Sequence, residues 1–149
     1  MTEAPARVLF VSTGGACRAL FAEALLRQVG GGAFEAASAG TDPAPIDPLT
    51  LDVLERAGID AVGLAPRALA GLVGQSFDYV ITLCDDARLV CPVFPGADQS
   101  MHWGYPSPAR LADDDERRVE MERVLVLLGE RIRQFVLIAA RTQPTAVAG

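Results

Sequence analysis

The stretch that decides the fold is Val8–Arg18, whose sequence is VLFVSTGGACR. It begins with a short apolar run, Val8 to Val11, that is typical of a buried strand. A loop with two glycines follows, Ser12 to Cys17, and the sequence from Arg18 to Val29 then predicts a helix. A glycine-containing loop between a strand and a helix can turn its backbone amides inward, beside the N-terminus of the helix. The stretch therefore predicts an anion-binding loop.

The arginine that closes the loop strengthens this hypothesis. Arg18 carries a planar guanidinium whose fork of donors suits a tetrahedral oxyanion. The candidate oxyanion-binding residues are Ser12, Thr13, Gly14, Gly15, Ala16, Cys17 and Arg18. Taken alone, the loop composition fits an ordinary strand-to-helix turn with a surface arginine about equally well. Motifs elsewhere in the chain are therefore needed to distinguish an anion-binding loop from such a turn.

Outward from this stretch, short apolar runs alternate with helical patterns. Further strands are predicted at Phe34–Ser38, Tyr79–Leu83 and Ser100–Trp103. Asp47 and Pro48 are typical of the start of a helix that ends at Gly58, and a long helix is predicted to open at Asp113–Asp115. The core stripe of the long helix is predicted to be Val124, Leu128, Ile132 and Phe135. The alternation predicts an α/β fold with a four-stranded parallel sheet flanked by helices.

The composition limits the class of protein. A chain of 149 residues fits one domain, 1–149, and we expect residues 7–141 to be ordered between frayed ends. The formal net charge of -6 argues against nucleic-acid binding and against docking on anionic membranes. Since the sequence has neither a membrane-length apolar run nor the pattern of a signal peptide, we expect a cytoplasmic protein.

Several motifs resemble one known family. VLFVSTGGACRALFAEALL resembles the signature of low-molecular-weight tyrosine phosphatases and arsenate reductases, which is a cysteine, five residues and an arginine, then a helix containing Ala-Glu. Ser12 takes the place of the cysteine and Arg18 that of the arginine, while Ala22 and Glu23 match Ala-Glu. Ser38–Gly40 matches the Ser-Ala-Gly that follows the second strand of the family. The resemblance implies a low-molecular-weight tyrosine phosphatase-like fold.

A second segment is similar to the thioredoxin-coupled arsenate reductase branch. VITLCDDARLVCPVFPG resembles that branch's third strand and cysteine loop, and the later His102–Gly104 matches its His-Trp-Gly. The resemblance implies that Cys84 and Cys91 are a redox pair. In that cycle the first cysteine relieves an arsenic adduct, the second resolves it, and thioredoxin reduces the resulting disulfide.

The chain departs from the family at three places. Ser12 stands at the nucleophile position, and a hydroxyl is not ionised near pH 7. Ser107 stands at the general-acid position, where the family places an aspartate. Gly15 replaces an asparagine that often braces the loop, so we expect a more flexible loop. Losing a nucleophile that works as part of a unit lowers the rate by several orders of magnitude.

Three functional hypotheses remain at this point. The first is a divergent member of the branch that binds arsenate or phosphate in arsenic detoxification, with catalysis lost or strongly reduced. The second is an active thioredoxin-coupled arsenate reductase, or a weak phosphatase, that uses Cys17, Cys84 or Cys91, or in which Ser12 is an engineered substitution. The third is a protein that binds arsenite through its thiols.

The cofactor expectations are common to all three hypotheses. With a single histidine, His102, and no zinc-ligand spacing, the sequence predicts no metal site. We expect no tightly bound cofactor, a small oxyanion as ligand, and thioredoxin as the candidate protein partner. Cys17 has a second interpretation besides a substitute nucleophile, which is that it packs in the interior.

Overall fold

The computed structural model describes residues 4–15, 17–84, 87–88, 91, 99–105 and 113–142, and of residues 99 and 140–142 only the backbone. Its strands are β1 (Ala6–Ser12), β2 (Phe34–Gly40), β3 (Tyr79–Thr82) and β4 (Gln99–His102). They form one four-stranded sheet in the order β2-β1-β3-β4, and every pairing is parallel. The predicted α/β fold with a parallel sheet is confirmed. The expectation of frayed ends falls largely on residues outside the described ones.

Within the described residues, the α-helices that flank the sheet and have defined bounds are α1 (Arg18–Gly30), α2 (Pro48–Arg56) and α3 (Asp114–Thr142). Short 3-10 helices occupy Gly31–Ala33 and Leu69–Leu72. These bounds agree with the predicted ones to within one or two residues at most ends. Among the described helices, none combines the length and the apolar character needed to cross a membrane.

The two faces of the sheet bury different parts of the chain. Along β1, Val8 and Phe10 belong to one core cluster, which also contains most of the buried residues of α1 and α3. Leu9 and Val11 belong to the second cluster, on the opposite face, because successive side chains of a strand alternate. The predicted core stripe of the long helix is confirmed, since Val124, Leu128, Ile132 and Phe135 are all buried.

The starts of α2 and α3 are held by aspartate caps and by ion pairs. Asp47 Oδ1 accepts a hydrogen bond from the amide of Leu49 at 3.0 Å, and Asp113 Oδ2 accepts one from the amide of Glu116 at 3.0 Å. An ion pair between Arg117 and Asp47, at 3.1 Å, joins the two helix starts. These contacts place the beginnings of both helices side by side, near the loop that follows β1.

Candidate oxyanion-binding site

The backbone of the loop after β1 is fixed by the segment that follows β2. Carbonyl oxygens of three successive loop residues accept hydrogen bonds: Thr41 N to Ser12 O at 3.1 Å, Asp42 N to Thr13 O at 2.8 Å and Ala44 N to Gly14 O at 3.0 Å. In a trans peptide the N–H points away from the C=O. The amides of residues 13–15 therefore point away from that segment, towards the interior of the loop, which is the arrangement that an anion site requires.

Two glycines allow the loop and the end of β2 to touch. Gly15 has a φ of 64°, and a Cβ at this position would lie 2.7 Å from the backbone nitrogen of Gly40. A Cβ on Gly40 would likewise lie 2.7 Å from the carbonyl of Gly14. Real side chains do not tolerate such distances, so this close backbone contact requires glycine at both positions. The bracing of the loop thus comes from its backbone.

The hydroxyl of Ser12 lies inside the loop. The residue is only 2% exposed, and its Oγ accepts a hydrogen bond from the amide of Gly15 at 3.1 Å. One inward-facing amide, that of Gly15, thereby holds the oxygen, and a hydroxyl that accepts a hydrogen bond can also donate one. His102, the chain's single histidine, has Nδ1 2.8 Å from the hydroxyl of Thr82.

Cys17, the residue before α1, is a partly buried thiol. Burial raises its pKa to about 12, although a hydrogen bond with Thr50 and the positive charge of Arg18 act in the opposite direction. A thiol with this pKa stays protonated at neutral pH and is a poor nucleophile. Its packing against the core cluster of α1 and α3 agrees with the interpretation of Cys17 as an interior residue.

Arg18 is buried and already oriented. It is the first residue of α1, is 8% exposed, and donates from Nη1 to the carbonyl oxygen of Tyr105 at 2.8 Å. Among the described contacts this bond involves Nη1 alone, and the Nε and Nη2 edge of a guanidinium is suited to two parallel bonds with an oxyanion. The sequence did not single out Tyr105, because a backbone carbonyl carries no signature of its partner.

A buried carboxylate, that of Glu23, joins α1 to β2. The carboxylate of Glu23 is 1% exposed and accepts a hydrogen bond from the hydroxyl of Ser38, at 2.6 Å, and another from Arg27. Glu23 and Arg27 lie four residues apart on one face of α1 and form an ion pair. Because Ser38 belongs to β2, this network joins the helix that follows the loop to the neighbouring strand.

The structure brings one of the two later cysteines to the loop. Cys84 follows β3, and its Sγ lies 3.1 Å from the hydroxyl oxygen of Thr13. Cys91 is partly buried, and burial raises its pKa. Both pack against the second core cluster, whereas Cys17 packs against the first, on the opposite face of the sheet. None of the three thiols is joined in a disulfide.

Two predicted site residues, Ala16 and Ser107, lie outside the described residues. The structure therefore places the loop from residue 12 to 15, together with Cys17 and Arg18. Within the described part of the chain, no three histidine, cysteine or acidic side chains are grouped to hold a metal ion.

Comparison with known proteins supports the resemblance inferred from the motifs. The family model described as "Low molecular weight phosphotyrosine protein phosphatase" matches residues 7–142. The arsenate reductase of Bacillus subtilis (strain 168) is 30% identical over 129 residues, which cover 86% of this chain and 93% of that protein.

Solved structures agree with these matches. The Corynebacterium glutamicum thioredoxin-dependent arsenate reductase is 29% identical with a TM-score of 0.73, over 95% of this chain and 64% of that one. A structure described as "An arsenate reductase in the phosphate binding state" has a TM-score of 0.68 at 23% identity, over 89% of this chain and 97% of that one. At that identity the second likeness concerns the fold alone. The chain belongs to the low molecular weight phosphotyrosine protein phosphatase family and, within it, to the arsenate reductase branch.

Proposed function

We propose that this protein binds arsenate or phosphate in the Ser12–Arg18 loop, in a role in arsenic detoxification, and that its catalysis is lost or strongly reduced. One observation carries the proposal. The loop amides of residues 13–15 face inward, the amide of Gly15 donates to Ser12 Oγ, and Arg18 is buried and oriented, which supports anion binding, but the group at the head of the loop is a hydroxyl. The proposed binding needs no tightly bound cofactor, because the anion itself is the ligand.

A hydroxyl at this position favours binding over attack. Without ionisation near neutral pH it is a weak nucleophile, whereas a thiolate would be a strong one. A thiolate would also repel a doubly charged anion at contact distance, while the neutral hydroxyl can donate its proton to one of the anion's oxygens. The amide of Gly15 already holds Ser12 Oγ, so the loop keeps an ordered shape around its ligand.

The loss of chemistry is proposed from two positions matched to the family motif. Ser12 corresponds to the nucleophilic cysteine and Ser107 to the general-acid aspartate. Cys17 is a poor replacement for the first, because burial raises its pKa to about 12. With neither thiolate nor carboxylic acid at these positions, breaking a bond to the bound anion would be very slow.

A working enzyme is the second candidate, and one contact favours it. The Sγ of Cys84 lies 3.1 Å from the loop hydroxyl of Thr13, so a thiol stands next to the proposed anion site. The Corynebacterium glutamicum relative is named as thioredoxin-dependent, which makes thioredoxin the candidate reductant for Cys84 and Cys91 here. Under this hypothesis Cys84 substitutes for the missing nucleophile in arsenate reduction or in weak phosphatase activity.

The third candidate is arsenite binding by thiols, and the packing of the three cysteines favours a site with two of them over a site with all three. Cys84 and Cys91 pack against the same core cluster, but Cys17 packs on the other face of the sheet. A site of three converging sulfurs is therefore disfavoured by the packing. Two thiols remain as candidate ligands, and mass spectrometry after arsenite treatment of Cys84→Ser and Cys91→Ser would identify them.

The first experiment pairs a binding measurement with a turnover measurement on the same preparation. Calorimetric titration with arsenate and with phosphate is expected to show one site for either anion. Arsenate-dependent NADPH consumption with thioredoxin and thioredoxin reductase is expected to stay at background, in an assay validated with an active reductase. A folded protein that binds neither anion would refute the proposal.

Variants separate the first two candidates. If arsenate is reduced and Cys84→Ser abolishes the reduction, the second candidate replaces the first. If the wild-type protein is inactive and Ser12→Cys gains turnover, the hydroxyl at residue 12 is the cause of the loss. Sustained turnover that neither Cys84→Ser nor Cys91→Ser lowers would exclude the thiol mechanism.

A further inference from the structure

A groove of about 460 Å³ lies between the sheet and the second half of α3. Its lining comes from β3, from β4, from the residue after β4 and from α3, and in that order includes Tyr79, Met101, Trp103 and Phe135. Among the described residues, the candidate oxyanion-binding loop contributes nothing to this lining. A concave site of this size with mainly apolar walls and few polar groups is typical of a small-molecule site.

Three aromatic rings form the walls of the groove. The ring centre of Phe135 lies 5.0 Å from that of Tyr79 and 5.9 Å from that of Trp103, and both pairs are T-shaped. Phe135 and Trp103 belong to the core cluster and are 7% and 4% exposed, so the fold fixes their positions. Because aromatic rings pack favourably edge to face, these walls favour a ligand that has an aromatic ring of its own.

Arg131 supplies a positive charge at the edge of the groove. Its guanidinium carbon lies 5.0 Å from the ring centre of Trp103, which is a cation-π distance. Arg131 is exposed on α3 and lines the groove together with Gln134. No acidic side chain is among the described residues that line the groove, so a ligand there meets positive charge. A guanidinium is suited to bind a carboxylate through parallel hydrogen bonds.

We propose that this groove is a second binding site, separate from the oxyanion loop, and that it takes a small carboxylate with an aromatic ring. The ring packs against Tyr79 and Phe135, and the carboxylate pairs with Arg131. A bare inorganic anion would lose water against the apolar walls without enough donors to replace it, and a cationic ligand would be repelled by Arg131. The inference goes beyond the proposed function and does not depend on it.

The test is an NMR titration of the full chain with phenylpropanoate and with its neutral analogue phenylpropanamide. Trp103 is the single tryptophan of the chain and lines the groove, so its indole N–H resonance identifies itself and reports on this site. Phenylpropanoate is expected to shift that resonance saturably, with a Kd on the order of 1 mM or tighter for a ligand of this size. Phenylpropanamide is expected to bind about fivefold more weakly, because it lacks the charge that pairs with Arg131.

A charge variant tests the role of Arg131. Arg131→Met is expected to weaken phenylpropanoate binding about fivefold and to leave phenylpropanamide within about twofold, so that the variant binds the two ligands alike. Arg133→Met is the matched control, because it removes a positive charge from the same helix outside the described lining, and it is expected to keep the preference for the carboxylate. Loss of that preference in both variants would overturn the assignment to Arg131, since general charge would then explain it.

A second variant tests the place of binding. Ile138 lines the groove and is 62% exposed, so Ile138→Glu adds a negative charge there without opening the core. It is expected to weaken phenylpropanoate binding at least about fivefold and to leave phenylpropanamide within about twofold. Val126→Glu, at a 60% exposed valine of the same helix, is the control and is expected to change neither affinity. Thermal unfolding without ligand checks each fold, and either Arg131→Met or Ile138→Glu decides the matter if the other is unfolded.

Three further results would overturn the proposal. The first is a Trp103 resonance that neither ligand shifts saturably. The second is binding of phenylpropanoate that Arg18→Met abolishes and Arg131→Met does not, which would place the carboxylate in the oxyanion loop. The third is a Trp103 resonance that moves with protein concentration before any ligand is added, since a second copy of the chain would then cover the groove. Absence of phosphate binding would refute the proposed function and leave this inference standing.

Discussion

The loop after β1 and the segment after β3 leave neighbouring parallel strands at the same edge of the sheet, but they are built differently. The first is held by three backbone hydrogen bonds and by close contact with Gly40, with Ser12 and Arg18 buried inside it. The second contributes Cys84 and Cys91, which are partly exposed, and it meets the loop through Thr13. Under the proposed function, the comparison indicates that anion binding relies on backbone geometry and one arginine, independently of the thiols.

The strongest test of whether the two regions act independently is to remove Arg18 and the thiols in separate variants. Arg18→Met eliminates the charged fork and is expected to weaken phosphate binding by about a thousandfold, the effect of losing two charge-assisted hydrogen bonds. The double variant Cys84→Ser/Cys91→Ser is expected to bind within about twofold of wild type. Calorimetry measures both, and a large loss in the thiol variant would show that the two regions are not independent.

The backbone contact between the loop and β2 gives the next largest effect. Gly15→Ala places a Cβ at a φ of 64° and 2.7 Å from the nitrogen of Gly40, so the strand or the loop must shift. We expect the free energy of unfolding to fall by about 3 kcal/mol. Urea denaturation measures it, with Gly32→Ala as the matched control, since a Cβ at Gly32 would meet nothing within 4 Å.

Gly32→Ala is expected to change stability by no more than about 0.5 kcal/mol. Equal stability of Gly15→Ala and Gly32→Ala would mean that the loop does not need its left-handed glycine. The interpretation of this loop as a shape set by its backbone would then be wrong.

Much of this architecture could be predicted because its signals are local. The run Val8–Val11, the two loop glycines and the apolar helix that follows lie within one short stretch, and together they define a strand, a glycine-containing loop and a helix. Aspartate caps were equally readable, as Asp47 shows at the start of α2. Such features depend on neighbouring residues, and the sequence displays them directly.

The rest of the site depends on contacts between residues far apart in sequence. The bond from Arg18 to Tyr105 spans 87 residues, and the contact of Thr13 with Cys84 spans 71. The first uses a backbone carbonyl, which every residue possesses, so side-chain chemistry gives no indication of it. The state of Cys17 was also beyond the sequence, because its pKa depends on how completely the fold buries it.

The rate at which Cys17 is alkylated tests whether its thiol can act as a nucleophile. At pH 8 a pKa near 12 leaves about a thousandfold less thiolate than the ordinary value near 9. The higher intrinsic reactivity of a more basic thiolate offsets part of this. Iodoacetamide is therefore expected to label Cys17 about fiftyfold more slowly in the folded than in the denatured chain, as followed by mass spectrometry of peptides.

The sign of the pH dependence follows from the same shift. Because the folded pKa is above the unfolded one, the contribution of this thiol to stability is complete below about pH 9 and is lost as the pH rises towards 12. Labelling of the folded chain at pH 8 as fast as that of the denatured chain would place Cys17 among the reactive thiols and revive it as a nucleophile.

The smallest predicted effect concerns Glu23, the buried carboxylate that joins α1 to β2. Glu23→Gln keeps an oxygen for the hydroxyl of Ser38 but removes the charge that pairs with Arg27, in a group that is 1% exposed. We expect a loss of about 2 kcal/mol in unfolding free energy, since a buried charge-assisted bond becomes a neutral one. Glu35→Gln is the control, because its exposed pair with Arg7 at 3.7 Å contributes little.

The phosphate affinity of Glu23→Gln shows whether Glu23 only stabilises the fold or also affects anion binding. Since Glu23 joins α1 to β2 without facing the anion, the affinity of Glu23→Gln is expected to stay within about threefold of wild type while its stability falls. A loss of affinity as large as that of Arg18→Met would mean that the shape of the loop depends on this buried pair. The comparison between the loop after β1 and the thiols after β3 would then have to include the contact between α1 and β2, because backbone contacts alone would not set the shape of the loop.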